Sequence, residues 1–326
     1  MPIPAFIREQ PQALDACLTA ARAFAASPAI DGIALVGSGS SFNAIAVARP
    51  RFVAARRGPV TLHEPEDFIA ELADATTRPL VVVLSQSGAS TTSIAAAQAA
   101  LAAGLRTVAI TASPQAALGG VGAELLHMPV GEEPVGPKTK GFLGSMAMLL
   151  AMAETLGAPA SPLISGADLA PLIEAGRETA EALVPSLRQV DQIVVAGRRA
   201  NYGVALEASL KITEMAGLPT CGLPTEELLH GRLHGLTDRS VAFLLAEGAA
   251  ELAEARRVEQ VMAARGCRIV VVDAAASLPA PWTVLGLVVP FQWLAVRLAE
   301  DRGLVPQTMR HGALSAELAI KTDARP

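Results

Sequence analysis

Short apolar runs alternate with alanine-rich stretches of helical character along the first half of the chain. The runs IALVG, PLVVVLS and LRTVAIT, which begin at Ile33, Pro79 and Leu105, predict buried strands. The stretches that open with SGSSFN, STTSIA and GFLGSM predict helices between and after these strands. Strands that alternate with helices predict a mostly parallel sheet with helices on both faces.

The same alternation starts again after a link rich in Pro, Ser and Gly. Residues 160–188 predict a helix, DQIVVAG (Asp191 to Gly197) predicts a strand that ends in glycine, and NYGVALEASLKITEMAG predicts a further helix. SVAFLLAE, CRIVVVD and TVLGLVVP predict strands, and AAELAEARRVEQVMAARG predicts a helix among them. This restart indicates a duplicated α/β fold, with domains over residues 1–165 and 166–326.

Composition narrows the possible function classes. Apolar residues make up 51% of the chain, but no uninterrupted run reaches the roughly 18 residues of a membrane span, and the N-terminus shows no secretory signal. Three distant cysteines (Cys17, Cys221, Cys267) favour reduced thiols in the cytoplasm over a disulfide framework. A net charge of −5 and 3% aromatic residues provide neither the basic footprint nor the stacking rings of a nucleic-acid surface.

Two hydroxyl-rich turns follow strands in the first half: GSGSS (Gly37 to Ser41) and SQSGAS (Ser85 to Ser90). Backbone N–H groups at a helix N-terminus, together with serine hydroxyls, would bind a phosphate at the carboxyl edge of the sheet without a Walker lysine or a metal. Either turn alone could equally be a helix N-cap, because serine is a preferred capping residue. Two such turns after strands favour phosphate binding. Neither contains GxGxxG, which disfavours a dinucleotide-dependent redox enzyme.

These turns resemble the sugar isomerase (SIS) family, in which SQSG followed by a hydroxyl residue two positions on is a distinctive motif. The second half is similar to the family as well, where GRRANYGVALEASLKITEMAG precedes EELLHG. The pattern is closest to the isomerase half of glucosamine–fructose-6-phosphate synthase and to stand-alone amino-sugar-phosphate deaminases and deglycases. The resemblance implies two tandem SIS-type, flavodoxin-like domains that bind a phosphorylated sugar. It also implies a homodimer with shared active sites, and no cofactor or metal.

The resemblance also implies roles for individual residues. The phosphate ligands would be Ser41, Ser85, Gln86, Ser87 and Ser90, and the segment GEEPVGPKTKGF would bring Gly136, Thr139 and Lys140 near the sugar. His230 would open the sugar ring. PQTMRHGALS places His311 where the synthase has a tail lysine, so we do not expect identical chemistry. Since Met1-Pro2 replaces the cysteine that follows the initiator methionine in the synthase, we do not expect glutaminase activity either.

Glu207, Lys211 and Glu214 stand at i, i+4 and i+7 and therefore share one face of the predicted helix. Taken alone, this spacing is typical of a solvated Glu207–Lys211 salt bridge. The apolar context favours instead a Glu214 carboxyl of raised pKa in a closed pocket, which would move a proton between C1 and C2 of the sugar. Lys211 would stabilise the enediolate or orient Glu214, and Glu207 would be structural.

An imidazole can take up and release a proton near neutral pH, which is what the ring opening assigned to His230 requires. His230 and His234 also stand four residues apart, as two metal ligands on a helix would. The absence of HExxH and of a third ligand argues against a metal.

Two functions compete at this point. The first is an enzyme that isomerises an amino-sugar or fructosamine 6-phosphate, as a deaminase, deglycase or isomerase. The second is a non-catalytic phosphosugar sensor, which the lack of an N-terminal basic helical module disfavours.

Overall fold

The computed structural model describes residues 2–25, 30–72, 77–275 and 277–322. In chain order the elements are α1 (Ile3–Arg8), α2 (Gln10–Arg22), β1 (Ile33–Val36), α3 (Ser40–Ala54), β2 (Val60–His63), α4 (Pro65–Leu72), β3 (Leu80–Leu84), α5 (Thr91–Ala102), β4 (Thr107–Thr111), β5 (Glu124–His127), α6 (Lys140–Thr155), α7 (Gly166–Leu187), β6 (Gln192–Gly197), α8 (Ala200–Ala216), β7 (Thr220–Pro224), α9 (Thr225–Leu229), β8 (Ser240–Ala246), α10 (Gly248–Ala263), β9 (Arg268–Asp273), α11 (Thr283–Asp301) and α12 (Leu314–Glu317).

The chain divides into two compact units, each with one sheet. The N-sheet unit comprises Gln12–Pro134, Lys140–Ser161 and His311–Pro326, and the C-sheet unit comprises Met1–Pro11, Val135–Thr139 and Pro162–Arg310. The predicted domains, 1–165 and 166–326, are continuous in sequence. In the structure, each unit also contains segments from the other half of the chain. The physical reason is packing: α1 buries Ile3, Phe6 and Ile7 in a unit that contains α7 and α11, both of which it contacts. In the C-terminal tail, Lys321 forms an antiparallel backbone bridge with Ser90 of the N-sheet unit.

The N-sheet unit has a five-stranded parallel sheet in the order β2-β1-β3-β4-β5. The strands β1, β3 and β4 are buried throughout, as expected of a parallel sheet covered on both faces. One face packs on the alanines of α5 and on Phe68 of α4, and α3 and α6 pack together. The α/β prediction is confirmed, although β2 and β5, at the two edges, were not predicted.

The C-sheet unit repeats the arrangement with four parallel strands in the order β7-β6-β8-β9. One face of β6 and β8 packs on Ala255 and Met262 of α10 and on Leu228 of α9. Here α11 packs against α7 and α8.

The prediction of a strand at TVLGLVVP is wrong, because these residues form the first half of α11. A short apolar run without periodicity does not distinguish a buried strand from a buried helix. Among the described residues, α11 is the one helix long and apolar enough to cross a membrane by length and composition. In this chain 83% of its most apolar stretch is buried inside the protein, and a core helix passes the same test.

The helix that follows the first strand begins in the same way in both units. Residues 38–41 and 198–201 each form a turn closed by a hydrogen bond from the fourth amide to the first carbonyl, at 3.1 and 2.9 Å. Its second residue is Gly39 in one unit (φ 56°, ψ −130°) and Arg199 in the other (φ 51°, ψ −123°). These are the angles of a type II′ turn, which favours glycine at this position. Arg199 therefore holds a backbone conformation that is strained for any L side chain.

We predict that Arg199→Gly stabilises the chain. It relieves strain of about 1–3 kcal/mol and loses only the partly exposed ion pair with Glu251, which is worth about 0–1 kcal/mol. A net gain near 1 kcal/mol should raise the Tm by about 2–4 °C in a thermal melt. The matched control Arg199→Ala loses the ion pair but keeps the strain, so its Tm should not exceed that of the wild type. Equal Tm values for the two variants would contradict this account.

Candidate functional site

The two hydroxyl-rich turns lie side by side at one edge of the N sheet. The strands that precede them, β1 and β3, are parallel neighbours with Val36 opposite Val83. The strand order reverses at β1, which has β2 on its other side. Ligands of open α/β sheets bind outside the carboxyl ends of the strands at such a reversal. The fold thus brings Ser41 to the same sheet edge as the serines of the second turn.

Backbone groups hold the second turn, from Ser85 to Ser90. The carbonyl of Gln86 accepts hydrogen bonds from the amide of Ala112 at 3.0 Å and from the Thr111 hydroxyl at 3.2 Å. Gly88 has φ +66°, and a Cβ there would lie 2.8 Å from the Thr111 Oγ1. The turn requires glycine at this point because β4 approaches so closely.

Ser87 and Ser90 use their oxygen atoms as local acceptors. The Ser87 Oγ accepts from the amide of Ala89 at 3.3 Å, and the Ser90 Oγ caps α5 by accepting from the amide of Ser93 at 3.4 Å. Since a hydroxyl that accepts a hydrogen bond retains its own proton to donate, capping and anion binding are compatible at Ser90. The helix N-cap and the phosphate-binding turn, which were alternatives in the sequence analysis, can therefore both be true of this segment.

The start of α6 packs against the second turn. A Cβ on Gly141 would lie 2.7 Å from the amide group of Gln86. The carboxylate of Glu133, which is 4% exposed, accepts hydrogen bonds from the amides of Lys140 and Gly141 at 3.2 and 2.9 Å. The Nζ of Lys140 donates to the carbonyl of Glu132 at 3.2 Å. Sequence analysis missed Glu133 because it lies seven residues before the amide of Lys140, whereas a capping box spans only three.

Gly136 and Thr139, both predicted to lie near the sugar, belong to the C-sheet unit. The side chain of Met309 packs directly on Gly136 and leaves no room for a Cβ, so packing alone explains this glycine. The carbonyl of Thr139 accepts from the Nε2 of Gln292 at 3.2 Å, and the Oε1 of Gln292 accepts from Gln10 at 2.5 Å. Both glutamines are wholly buried, so this network fixes the segment through its backbone.

Glu207, Lys211 and Glu214 form one acid–base cluster on α8, as their spacing predicts. The Nζ of Lys211 lies 3.4 Å from a carboxylate oxygen of Glu207 and donates a short hydrogen bond to Glu214. The side chains of Glu207 and Lys211 are 0% and 1% exposed, whereas that of Glu214 is 22% exposed. The solvated salt bridge is therefore excluded. Glu214 opens to solvent rather than lying in the closed pocket that we expected.

Two opposing effects set the charge of Lys211. Burial lowers the pKa of its ammonium, but the charges of Glu207 and Glu214 and their hydrogen bonds outweigh burial and raise the pKa above its usual value. Lys211 is therefore an ammonium at neutral pH, aligned with both carboxylates.

The two histidines predicted to belong to the site, His230 and His311, are both exposed. The side chain of His230 is 80% exposed, and its Nε2 lies 3.2 Å from the carboxylate of Glu226. His311 is exposed in the N-sheet unit, in the turn before α12. In the tail it is Lys321, not His311, whose backbone pairs with Ser90. Within the part of the chain that the structure describes, no group of three His, Cys, Asp or Glu residues could hold a metal, so His230 and His234 have no third ligand there.

The strand order of the C sheet also reverses, at β6, and its edge forms a crevice. Arg198 and Glu254 are among the residues that line it. Arg198 donates to Glu254 at 2.5 Å and to Glu226 at 2.8 Å, and Arg199 pairs with Glu251 at 2.5 Å. The hydrogen bonds that Arg198 donates to Glu254 and Glu226 raise the pKa of its guanidinium. Because carboxylates already bind both guanidinium groups, this crevice differs from the serine-lined edge of the N sheet.

The sequence matches the family model of the SIS domain over residues 30–155 and 186–280. It is similar to glutamine–fructose-6-phosphate aminotransferase (isomerizing) of Tropheryma whipplei strain Twist, with 25% identity over 306 residues that cover 84% of this chain and 50% of that protein. The same enzyme of Halobacterium salinarum is 27% identical over 82% of this chain and 49% of its own length. The chain thus spans about half the length of the curated relatives it matches.

Solved structures share the fold over nearly the whole chain. A glucosamine-6-phosphate deaminase of Thermotoga maritima superposes with a TM-score of 0.82 at 21% identity, covering 95% of this chain and 97% of that one. A tagatose-6-phosphate ketose/aldose isomerase of Escherichia coli superposes with a TM-score of 0.75 at 19% identity, covering 93% and 94%. At these identities the likeness establishes the α/β architecture.

We predict that Lys211→Met destabilises the C-sheet unit by about 3–5 kcal/mol, because it removes the ammonium that faces a buried carboxylate. The double variant Glu207→Gln/Lys211→Met should recover part of this loss, as denaturant titration would show. If the loss of stability in the double variant equalled the sum of the losses in the two single variants, Glu207 and Lys211 would not be coupled.

The same variants carry a pH prediction. Because the pKa of Lys211 is raised on folding, its ion pairs contribute fully below the ordinary lysine value of 10.5 and lose their contribution only as the pH rises through the raised value. The stability difference between the wild type and the double variant should therefore stay constant across neutral pH and shrink only in strong alkali.

Proposed function

Because this chain belongs to the SIS domain family, we propose that it binds an amino-sugar or fructosamine 6-phosphate and catalyses aldose–ketose isomerase-type chemistry on it. The reaction would be that of a deaminase, a deglycase or an isomerase. One observation carries the proposal: a solvent-accessible Glu214 carboxylate is held by a buried ammonium. An isolated surface carboxylate would not be oriented in this way.

The N-sheet turns supply the anion-binding half of the proposed function. Their backbone N–H groups lie at the starts of α3 and α5, where the helix dipoles favour a negative charge. The hydroxyls of Ser41, Ser85, Ser87 and Ser90 and the amide of Gln86 would add donors without bulk. Phosphate binding of this kind needs no metal.

The acid–base cluster supplies the proton-transfer half. The ammonium of Lys211 donates a hydrogen bond to the carboxyl group of Glu214 and would orient it as the general base that takes a proton from a carbon beside a carbonyl. The same ammonium would stabilise the negative charge of the enediolate. Glu207 is wholly buried, so we assign it the structural role of balancing the charge of Lys211.

Loss of ammonia follows from the same proton transfer. In an open-chain 2-amino aldose, moving a proton from C2 to C1 leaves an imine at C2. Water then hydrolyses this imine to a ketose and ammonia. With fructosamine 6-phosphates, the reverse transfer prepares release of the amine from C1. Both reactions start from an open sugar chain, and His230 is our candidate for opening the ring.

We predict that Glu214→Gln abolishes turnover, by about 10²–10⁴-fold, and leaves sugar-phosphate binding within a few-fold of the wild type. The assay should offer glucosamine 6-phosphate and several fructosamine 6-phosphates, with ammonia and amine release followed separately. Glu227→Gln, on the exposed face of α9, is a matched control that should stay active. Retained turnover in Glu214→Gln would refute the role of Glu214. A wild-type chain that binds several of these compounds and turns over none would instead be the sensor.

The exposed His230 leads to a prediction about assembly. In a homodimer with shared active sites, His230 of one copy would serve the site of the other. Glu214→Gln and His230→Ala should then each be inactive, and mixing them with subunit exchange should restore about a quarter of the wild-type sites, because half of the dimers are mixed and each has one intact site. No recovery after demonstrated exchange would mean that each chain uses its own histidine, and sedimentation as a monomer would exclude the dimer.

A further inference from the structure

We propose that Glu226 is a positioning residue for His230, which it holds through Nε2 so that Nδ1 is the nitrogen that exchanges protons with the sugar. The inference rests on the proposed function, in which His230 opens the sugar ring. It adds a residue that the sequence analysis did not single out, and it gives the two nitrogens of the imidazole different tasks.

The side chain of His230 needs support because it is 80% exposed, so packing does not select one of its rotamers. An acid–base group must nevertheless stay within hydrogen-bond reach of the oxygen that it serves. Glu226 contacts this histidine twice. Its carbonyl accepts from the amide of His230 at 2.9 Å, at the end of α9, and its carboxylate lies 3.2 Å from Nε2. Backbone and side chain together therefore restrict the imidazole.

Glu226 is itself held by Arg198. A surface pair alone contributes little, because both side chains are free to separate. Here one carboxylate oxygen of Glu226 accepts from Nη2 of Arg198 at 2.8 Å, and the other faces His230. The side chain of Arg198 is only 22% exposed, and its residue opens the turn after β6. The hydrogen bond and the charge of Arg198 lower the pKa of Glu226, so a carboxylate faces the imidazole at neutral pH.

This contact decides which nitrogen of His230 can react. A carboxylate only accepts hydrogen bonds, so Nε2 keeps its proton and Nδ1 is the nitrogen that gains and loses one. In ring opening, the imidazolium gives its Nδ1 proton to the ring oxygen as the bond between that oxygen and the anomeric carbon breaks. The anomeric hydroxyl then returns a proton to Nδ1 and becomes the carbonyl. The imidazolium therefore ends the step as it began.

Glu227, the next residue of α9, provides a matched control. It has the same charge as Glu226 and nearly the same side-chain exposure, 63% against 64%. Its carboxylate lies 3.9 Å from the guanidinium of Arg232. Replacing either glutamate by alanine thus removes the same group from the same short helix, and only one of the two substitutions releases the imidazole of His230.

The test compares Glu226→Ala with Glu227→Ala in the full chain, on whichever glucosamine or fructosamine 6-phosphate the wild type turns over fastest. Each variant is assayed with the ordinary compound and with deuterium at the carbon that loses its proton. Glu226→Ala should lower kcat by about tenfold. Its ratio of ordinary to deuterated rates should lie close to one, because ring opening and not proton transfer then limits turnover. Glu227→Ala should match the wild type in both measurements. Since both side chains are exposed, neither substitution should shift the Tm.

The outcomes separate this inference from the proposed function. Equal turnover of Glu226→Ala and Glu227→Ala would overturn the inference and leave the proposed function intact. A large isotope effect in an impaired Glu226→Ala would place the defect in proton transfer and would overturn it as well. If His230→Ala retained full turnover, ring opening would not use His230 and the role of Glu226 would fall with it. A wild type that turns over none of the compounds would refute the proposed function itself.

Discussion

The parallel pairing of one central strand with neighbours on both sides is the constraint that places the polar residues at both sheet edges. In the N-sheet unit β1 lies between β2 and β3, and in the C-sheet unit β6 lies between β7 and β8. Each central strand ends at a type II′ turn and a helix start, so each unit presents backbone N–H groups at a sheet edge. The fold provides this edge twice, and the side chains decide what each one can bind. The two serine turns at the first edge contain no charged residue, whereas Arg198 at the second edge is paired with Glu254 and Glu226.

Burial makes the charged groups of the acid–base cluster depend on one another. An ammonium that is 1% exposed can be stable only if carboxylates compensate its lost hydration, and here Glu207 does so from complete burial. Glu214, the more exposed partner, is then oriented by a group that cannot move away without leaving a charge unpaired in the core. The same contacts that make the cluster costly to disrupt therefore hold the partly exposed carboxyl group of Glu214 in place. Stability and the proposed proton transfer depend on the same three side chains.

The sequence predicts what is local and periodic. Continuous apolar runs such as PLVVVLS reveal the buried strands, and the serine turns and the i, i+4, i+7 spacing reveal the candidate residues, because all of these depend on neighbours in the chain. The edge strands β2 and β5 escape notice because their exposed positions break the apolar run. TVLGLVVP is mistaken for a strand because a helix buried on all sides has no polar face to show its period. Glu133 and Lys321 make contacts that no local spacing encodes.

Contacts between distant parts of the chain also hold the serine turn of the N-sheet unit. A turn of serines and glycines keeps its shape through hydrogen bonds from β4, yet it has no charge of its own. A cation within the turn would need a long side chain where the backbone must approach the ligand closely, which is why glycine and serine occupy those positions. The tail adds to the edge of this turn through its backbone, since the amide of Thr91 donates to the carbonyl of Ile320 and the amide of Thr322 donates to the carbonyl of Ala89. The bridge between Ser90 and Lys321 therefore fixes the start of α5 from a distant part of the chain and requires no bulky side chain within the turn.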